Sequence, residues 1–162
     1  MALRRGIAGV CLAGLLAACG FTPVYGPGGE AAALRSAIVV TEPDTRIEFA
    51  FTRRFEERLG QPGNPRYALI YTLLIEETGL AIDDSNNIER FNIEGVLDWA
   101  LIPEGADAPV LTGQEVSFTA YSATGSTIST LESERDAERR LAAILADAVV
   151  TRLLAEAAML AP

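Results

Sequence analysis

The chain has no histidine and no lysine, and only two cysteines, Cys11 and Cys19. Without histidine there is no Ser-His-Asp triad and no imidazole to act as a general base. Without lysine there is neither a Schiff-base nucleophile nor a phosphate-binding loop of the usual type. Two cysteines without histidine also cannot form a structural zinc site of the usual kind. These absences leave catalysis by carboxylates as the main enzymatic route to consider.

The N-terminal segment has the pattern of an export signal. Arg4 and Arg5 precede Ile7–Ala18, a run of small and apolar residues shorter than the ~20 residues needed to span a bilayer. The run ends in Leu16-Ala17-Ala18-Cys19, which resembles the lipobox of bacterial lipoproteins. We therefore expect cleavage before Cys19 and lipid attachment to its sulfur. The alternative is an ordinary secretory peptide in which Cys19 has no special role.

This pattern predicts three parts: a lipoprotein signal peptide (1–18), a lipid-anchored tether rich in glycine and proline (19–29), and a single domain (30–162). Several acyl chains on one residue suffice for stable anchoring. Gly20 stands where an aspartate would resemble an inner-membrane retention signal, so we expect the periplasmic side of the outer membrane. Cys11 leaves with the signal, so the domain is expected to have no free thiol and no disulfide.

The remaining charge is strongly negative. After loss of Arg4 and Arg5, 11 arginines stand against 22 acidic residues, a net charge of −11 that argues against a nucleic-acid partner. The candidates for carboxylate catalysis are Glu76–Glu77 and Asp83–Asp84. Adjacent strand residues point to opposite faces, and Asp83–Asp84 begins a polar turn, so neither pair predicts a catalytic site. We expect a protein that is not an enzyme, with no cofactor and no metal.

One amphipathic helix is indicated near the start of the domain. Thr41 and Asp44 have the spacing of a capping box, and Gly60 and Pro62 end the helical pattern. Between them, apolar residues recur every four positions and form one stripe, typical of a helix packed on a core. The stripe consists of Ile47, Phe51, Phe55 and Leu59.

Alternating or β-branched runs predict four strands, preceded by a short helical turn at Glu30–Leu34. The strands are expected at Ser36–Val40, Tyr67–Glu77, Phe91–Ile102 and Val110–Tyr121. Ile70 and Leu74 make the second strand apolar on both faces, and Val116, Phe118 and Ala120 share one face of the fourth. A polar connection covers 78–89. Short separations favour an antiparallel meander, and the first strand, linked through a helix, can pair in parallel.

A long second helix is expected from about Thr130 to Ala158. Leu141, Leu145, Val149 and Leu153 share a face, while Val150 and Leu154 lie well away from it. Such breadth indicates burial on two sides, by the sheet and by either the first helix or a partner protein. The predicted fold is an α+β two-layer sandwich, with a four-stranded mixed sheet and two helices packed on one face.

Two segments resemble a known family. The lipobox continues as Cys19-Gly20-Phe21-Thr22-Pro23-Val24-Tyr25-Gly26, and the last helix contains Glu134–Leu141 followed by Leu145–Ala146 and Arg152–Leu153. Both are similar to the lipopolysaccharide-assembly lipoprotein LptE in its alphaproteobacterial form. The resemblance implies a protein that plugs the β-barrel LptD, helps to assemble it and helps to deliver lipopolysaccharide to the cell surface. A stand-alone lipid-binding lipoprotein, with a groove between helices and sheet, is the alternative.

The resemblance also implies lipopolysaccharide binding through basic residues near strand ends. Arg90, just before the third strand, is the closest positional match, and Arg66, at the entry to the second strand, is expected nearby. The other reading of Arg90 is a solvated residue that protects a strand end. With a net charge of −11, broad attraction to a phosphorylated glycolipid is excluded, so binding would need local arginines, bridging divalent cations or apolar contact with acyl chains.

Overall fold

The structure, a computed structural model, describes residues 30–82, 88–123 and 126–160. The predicted signal peptide and the tether with Cys19 lie outside the described residues, as does the acidic pair Asp83–Asp84.

The domain is an α+β sandwich of a four-stranded mixed sheet and two helices, which confirms the predicted fold class. After a 3-10 helix (Glu30–Leu34), the elements are β1 (Ile38–Val40), α1 (Arg46–Leu59), β2 (Tyr67–Ile82), β3 (Ile88–Pro103), β4 (Leu111–Ser122) and α2 (Thr127–Ala155), with a last helical segment at Ala157–Leu160. The strands lie in the order β1-β2-β3-β4. The β1 strand pairs in parallel with β2, and the rest is the expected antiparallel meander.

All four residues of the predicted α1 stripe are buried, and the helix ends before Gly60 as expected. The predicted N-cap is wrong: the capping box is Thr45 with Glu48, four residues later than Thr41 with Asp44. Thr41 instead continues the pairing of β1, since its backbone N–H donates to the Leu69 carbonyl at 3.0 Å. Burial raises the pKa of Glu48, but hydrogen bonds from the Asp44 and Thr45 backbones outweigh it and lower the pKa.

The hairpin of β2 and β3 is longer than predicted. Pairing continues through Thr78↔Asn92 and, across two register shifts, to Ile82↔Ile88, so most of the expected polar connection is strand. Polar residues are compatible with strand pairing where both faces of a hairpin meet solvent. At the other end of the sheet, β1 starts two residues late because Ser36 has φ +54°, outside the β region.

The second helix starts three residues earlier than predicted, because the Ser126 side chain caps it by accepting from the Ser129 N–H at 3.2 Å. Its expected burial on two sides is confirmed. One side covers the sheet, where a Cβ added at Gly95 of β3 would lie 3.1 Å from Leu141 and Leu145. The other side meets α1, so the second covering element is this chain's own helix. The buried α2 residues are Ala137, Leu141, Ala142, Leu145, Ala146, Val149, Val150 and Leu153.

An ion cluster joins the two helices at their outer surface. Asp147 of α2 accepts from Arg54 Nε at 3.1 Å and Nη2 at 2.9 Å, and from Arg58 Nη1 at 2.6 Å. Burial by itself raises the pKa of Asp147, but the hydrogen bonds and charges of the two arginines outweigh burial and lower the pKa. The cluster therefore stabilises the helix pair while Asp147 is ionised.

We predict that Asp147→Asn lowers the free energy of unfolding by about 1 kcal/mol at pH 7, because solvent screens a half-exposed cluster. Because folding lowers the pKa of Asp147, its ionisation stabilises the folded chain at pH values above 3.8, its ordinary pKa. This stabilisation is lost as the pH falls through the folded-state pKa. The difference from wild type should thus vanish in acid. Urea unfolding at pH 7 and pH 2.5 measures it, with exposed Asp107→Asn as the control. An equal loss at both pH values would contradict the account.

Candidate functional site

The helices cover only one face of the sheet. In β2, β3 and β4 the odd-numbered residues point toward them, and the buried members are Leu69, Ile93, Leu97, Trp99, Leu101 and Tyr121. Even-numbered residues point the other way. We call this second side, formed by the even-numbered residues of 68–78, 92–102 and 112–120, the open face. No described element of the chain covers it.

An apolar row crosses the open face. Leu74, Val96 and Val116 are paired in register across β2, β3 and β4. Leu74 is 65% exposed and Val116 57%, while Phe118, one position further along the face of β4, is 68% exposed. Ile70 of β2 adds a further exposed side chain. Contiguous exposed apolar side chains of this kind mark interaction sites.

The pattern of β4 is the reverse of that expected for a strand on a core. The predicted face of Val116, Phe118 and Ala120 lies on the open side, and polar residues point toward the helix. Thr119 is held there because its hydroxyl donates to the Ala137 carbonyl of α2 at 3.0 Å. At Gly113 an added Cβ would lie 2.6 Å from the Trp99 ring, so the Trp99 ring fills the space beside this strand. The apolar side chains of β4 are therefore available to a partner.

Acidic residues lie beside the apolar row. Glu76 of β2 is directly opposite Glu94 of β3, and both are exposed. Asp98, on the other side of the row, accepts a hydrogen bond from Gln114 Nε2 at 2.8 Å. Glu77 points to the helix side, where it accepts from the Tyr121 hydroxyl at 3.1 Å, so the two adjacent glutamates face opposite ways as predicted. Glu76 and Glu77 thus do not share a site.

The two predicted lipopolysaccharide-binding arginines are far apart. Arg66 precedes the first residue of β2, whereas Arg90 pairs with Ala81 near the other end of the hairpin. At ~3.3 Å per residue the two ends are on the order of 40 Å apart, so the expectation that they lie close together is wrong. The hairpin carries them to opposite ends of the sheet. Arg66 also donates to the Ala33 carbonyl, and its guanidinium lies 5.8 Å from the centroid of the Tyr67 ring.

Arg90 instead shares a pocket with Arg140 of α2. The pocket has a volume of about 300 Å³ and is lined by Arg90, Ala120, Tyr121, Ser122, Ser133, Asp136 and Arg140. Arg140 is held at the edge of β4, since it donates to the Ala120 carbonyl at 3.1 Å and also binds Asp136. The sequence pattern did not assign Arg140 to this site, because it lies in a charged stretch typical of a solvated helix face. The two guanidinium groups form a basic pocket at the end of the open face.

Behind this basic pocket the surroundings are acidic. Burial, together with the hydrogen bond to Glu77, raises the pKa of Tyr121 to about 12. Burial and the neighbouring charge of Glu134 raise the pKa of Glu138. Asp136 also lines the pocket and pairs with Arg140, so the positive charge at this end of the sheet is local and partly offset.

Comparison with known proteins identifies the family. A family model described as LptE, Lipopolysaccharide-assembly, matches residues 34–153, which include all four strands, α1 and nearly all of α2. The chain belongs to the LptE family. Membership in the LptE family confirms the expected resemblance. The proteins of this family are assembly proteins of lipopolysaccharide transport and not enzymes, which agrees with the prediction. No curated protein matches this chain.

Solved structures have the same fold as this LptE-family chain. A lipoprotein from Caulobacter crescentus has a TM-score of 0.69 at 19% identity, covering 82% of this chain and 98% of its own. Rare lipoprotein B from Shewanella oneidensis has a TM-score of 0.58 at 9% identity, covering 76% of this chain and 96% of its own. A minor lipoprotein from Acinetobacter baumannii has a TM-score of 0.55 at 10% identity, covering 74% of this chain and 90% of its own. At these identities the likeness concerns the fold alone. In the described part of the LptE-family chain, no helix is long and apolar enough to cross a membrane.

We predict that the two sides of the sheet differ in their contribution to stability. Phe118→Ser on the open face should change the free energy of unfolding by less than about 0.5 kcal/mol, because the side chain is already in water. Leu97→Ala on the helix side should cost ~2–5 kcal/mol, because it leaves a cavity in the core. Fluorescence of Trp99, the only tryptophan in the chain, reports urea unfolding of both variants. Equal losses would show that Phe118 is part of the core.

Proposed function

We propose that this chain is an outer-membrane lipoprotein, anchored through Cys19 on the periplasmic side, that occupies the lumen of the β-barrel translocon LptD. There it would assist assembly of the barrel and delivery of lipopolysaccharide to the cell surface. The observation that supports this most is the open face of the sheet, with its row of Leu74, Val96 and Val116. Inside a barrel, the inner wall would cover the apolar side chains of the open face, which are otherwise exposed to water.

The physical requirements of such a partner agree with the domain. Permanent interfaces commonly bury more than ~2,000 Å² and are more apolar than ordinary surface. An exposed sheet face supplies apolar surface on a rigid scaffold, because the opposite side of the same strands packs on α1 and α2. A lipid tether at Cys19 would raise the effective concentration of the domain near a membrane-embedded barrel. Tether and open face together favour a permanent partner over free diffusion.

The alternative, a lipid-binding lipoprotein with a groove between helices and sheet, is less well supported. In the described core that space is filled: Leu97, Leu141 and Leu145 have no solvent exposure. The 3.1 Å approach of Leu141 and Leu145 to an added Cβ at Gly95 leaves no room for an acyl chain there. A lipid would need a different site.

We assign direct lipopolysaccharide contact to the basic pocket. Arg90 and Arg140 lie within one cavity, and guanidinium groups bind phosphates through charge-assisted hydrogen bonds. The apolar open face begins next to this pocket, so a phosphorylated glycolipid would meet charge and apolar surface together. The predicted role of Arg66 in binding stays a prediction, and its contacts with Ala33 and Tyr67 give it a structural task at the other end of the sheet.

We predict that Arg90→Glu weakens lipopolysaccharide binding by about tenfold, which corresponds to the loss of one charge-assisted hydrogen bond. Binding to the purified full-length chain in detergent would be measured, with circular dichroism to check the fold. Arg53→Glu is the matched control. Arg53 is 83% exposed on α1, and its replacement changes the net charge by the same amount. Unchanged affinity of Arg90→Glu would return Arg90 to the role of a solvated strand-end residue.

We also predict that depletion of the chain reduces the folded, heat-modifiable form of LptD several-fold, because the barrel would lose the partner that covers its inner wall. Less lipopolysaccharide should then reach the cell surface. Electrophoresis of unheated and heated membranes measures the first effect, and surface labelling the second. Normal folding of the barrel together with normal surface lipopolysaccharide would contradict the proposed function and favour the lipid-binding alternative.

A further inference from the structure

Two carboxylates face each other on the open face. Glu76 and Glu94 are register partners on neighbouring strands, and both point away from the helices. Residues in direct register have Cβ atoms ~5 Å apart, and like charges there destabilise a sheet. Among the described residues, neither carboxylate has an ion pair or a hydrogen bond. Repulsion between the two carboxylates therefore destabilises the sheet when the chain is on its own, and no described residue offsets this repulsion.

The surroundings of this pair are apolar rather than basic. Leu74 and Val96 occupy the next row on one side, and Phe118 is the direct register partner of Glu94 on β4. The even-numbered residues of 68–78, 92–102 and 112–120 include no arginine, and the chain has no lysine. The nearest arginine on this side of β3 is Arg90, four residues before Glu94 and beyond the end of the open face. The carboxylates of Glu76 and Glu94 therefore lie among the exposed apolar side chains that a partner would bury.

A covering surface must then do more than supply apolar side chains. If Phe118 and Leu74 were buried against a purely apolar wall, Glu76 and Glu94 would lose water without gaining a partner, which is strongly unfavourable. A wall with guanidinium or ammonium groups at this position would pair both carboxylates and remove their mutual repulsion. Charge complementarity thus specifies the chemistry of the occupant.

We propose that the inner wall of the barrel partner carries basic side chains opposite Glu76 and Glu94, and that these ion pairs orient the open face toward that wall. The inference rests on the proposed function, because it specifies the face and the chemistry of the same interface. A divalent cation bridging the two carboxylates is the competing occupant. Among the described residues no third possible ligand joins the two carboxylates, so a cation there would have only two side-chain ligands from this chain, whereas basic side chains need no further ligand.

The test compares Glu94→Gln, Glu94→Arg and the matched control Glu104→Arg in the full-length lipidated chain. Glu104 is exposed in the turn after β3, off the open face. The barrel recovered with each affinity-tagged variant from mild detergent is quantified, and thermal unfolding of each purified chain is measured alone. Glu94→Gln should retain or raise the midpoint of unfolding, because it relieves repulsion, yet recover several-fold less barrel. Glu94→Arg should recover about tenfold less, and Glu104→Arg should behave as wild type.

Each outcome decides one question. Wild-type barrel recovery with Glu94→Arg would overturn the inference, whereas the proposed function would stand if the wild-type chain still recovers barrel. Release of barrel from the wild-type chain by EDTA alone would overturn it in favour of a bridging cation. Failure of the wild-type chain to recover any barrel would refute the proposed function itself.

Discussion

The sheet has apolar side chains on both faces, and the chain's own helices lie on only one of them. Apolar surface left in water carries a free-energy cost in proportion to its area, so a domain normally arranges its elements to cover it. Here α2 packs on two sides, against the sheet and against α1. No element of the described chain is left to cover Leu74, Val116 and Phe118. The position of the helices thus determines which surface is left for another molecule.

The same arrangement explains the reversed pattern of β4. The inner side of this strand needs little volume, because the Trp99 ring lies against Gly113 and α2 approaches closely enough to bond Thr119. A large side chain at Gly113 would clash with the Trp99 ring, whereas Val116 and Phe118 have room on the open side. Val116 and Phe118 are accordingly directed outward, next to Glu76 and Glu94, which we propose pair with basic side chains of the partner.

Sequence reasoning succeeded where the signal is local. The α1 stripe, the end of that helix at Gly60 and the alternation of β3 each depend on residues within one element, and all were predicted. The N-cap was misplaced because Thr41 and Thr45 both offer a capping side chain. Pairing of Thr41 with Leu69, which is distant in sequence, decides between them.

Other features depended on contacts that the sequence does not display. The extra length of the β2–β3 hairpin separates Arg66 from Arg90, and it arises from pairing of polar residues that read as a loop. Arg140 joins Arg90 only because α2 packs along β4 with its charged first half beside the strand end. Alternation groups Val116 with Phe118, but only the position of the helices assigns them to the open face.

The central claim is that the open face, more than the helical layer, lies against the wall of the barrel. Two exposed phenylalanines allow a direct comparison: Phe118 on the open face, 68% exposed, and Phe49 on α1, 59% exposed. Each would be replaced by a photo-reactive phenylalanine analogue in the full-length chain and irradiated in intact cells. The account predicts a strong covalent adduct with the barrel from position 118 and a much weaker one from position 49. A strong adduct from position 49, with none from position 118, would contradict it.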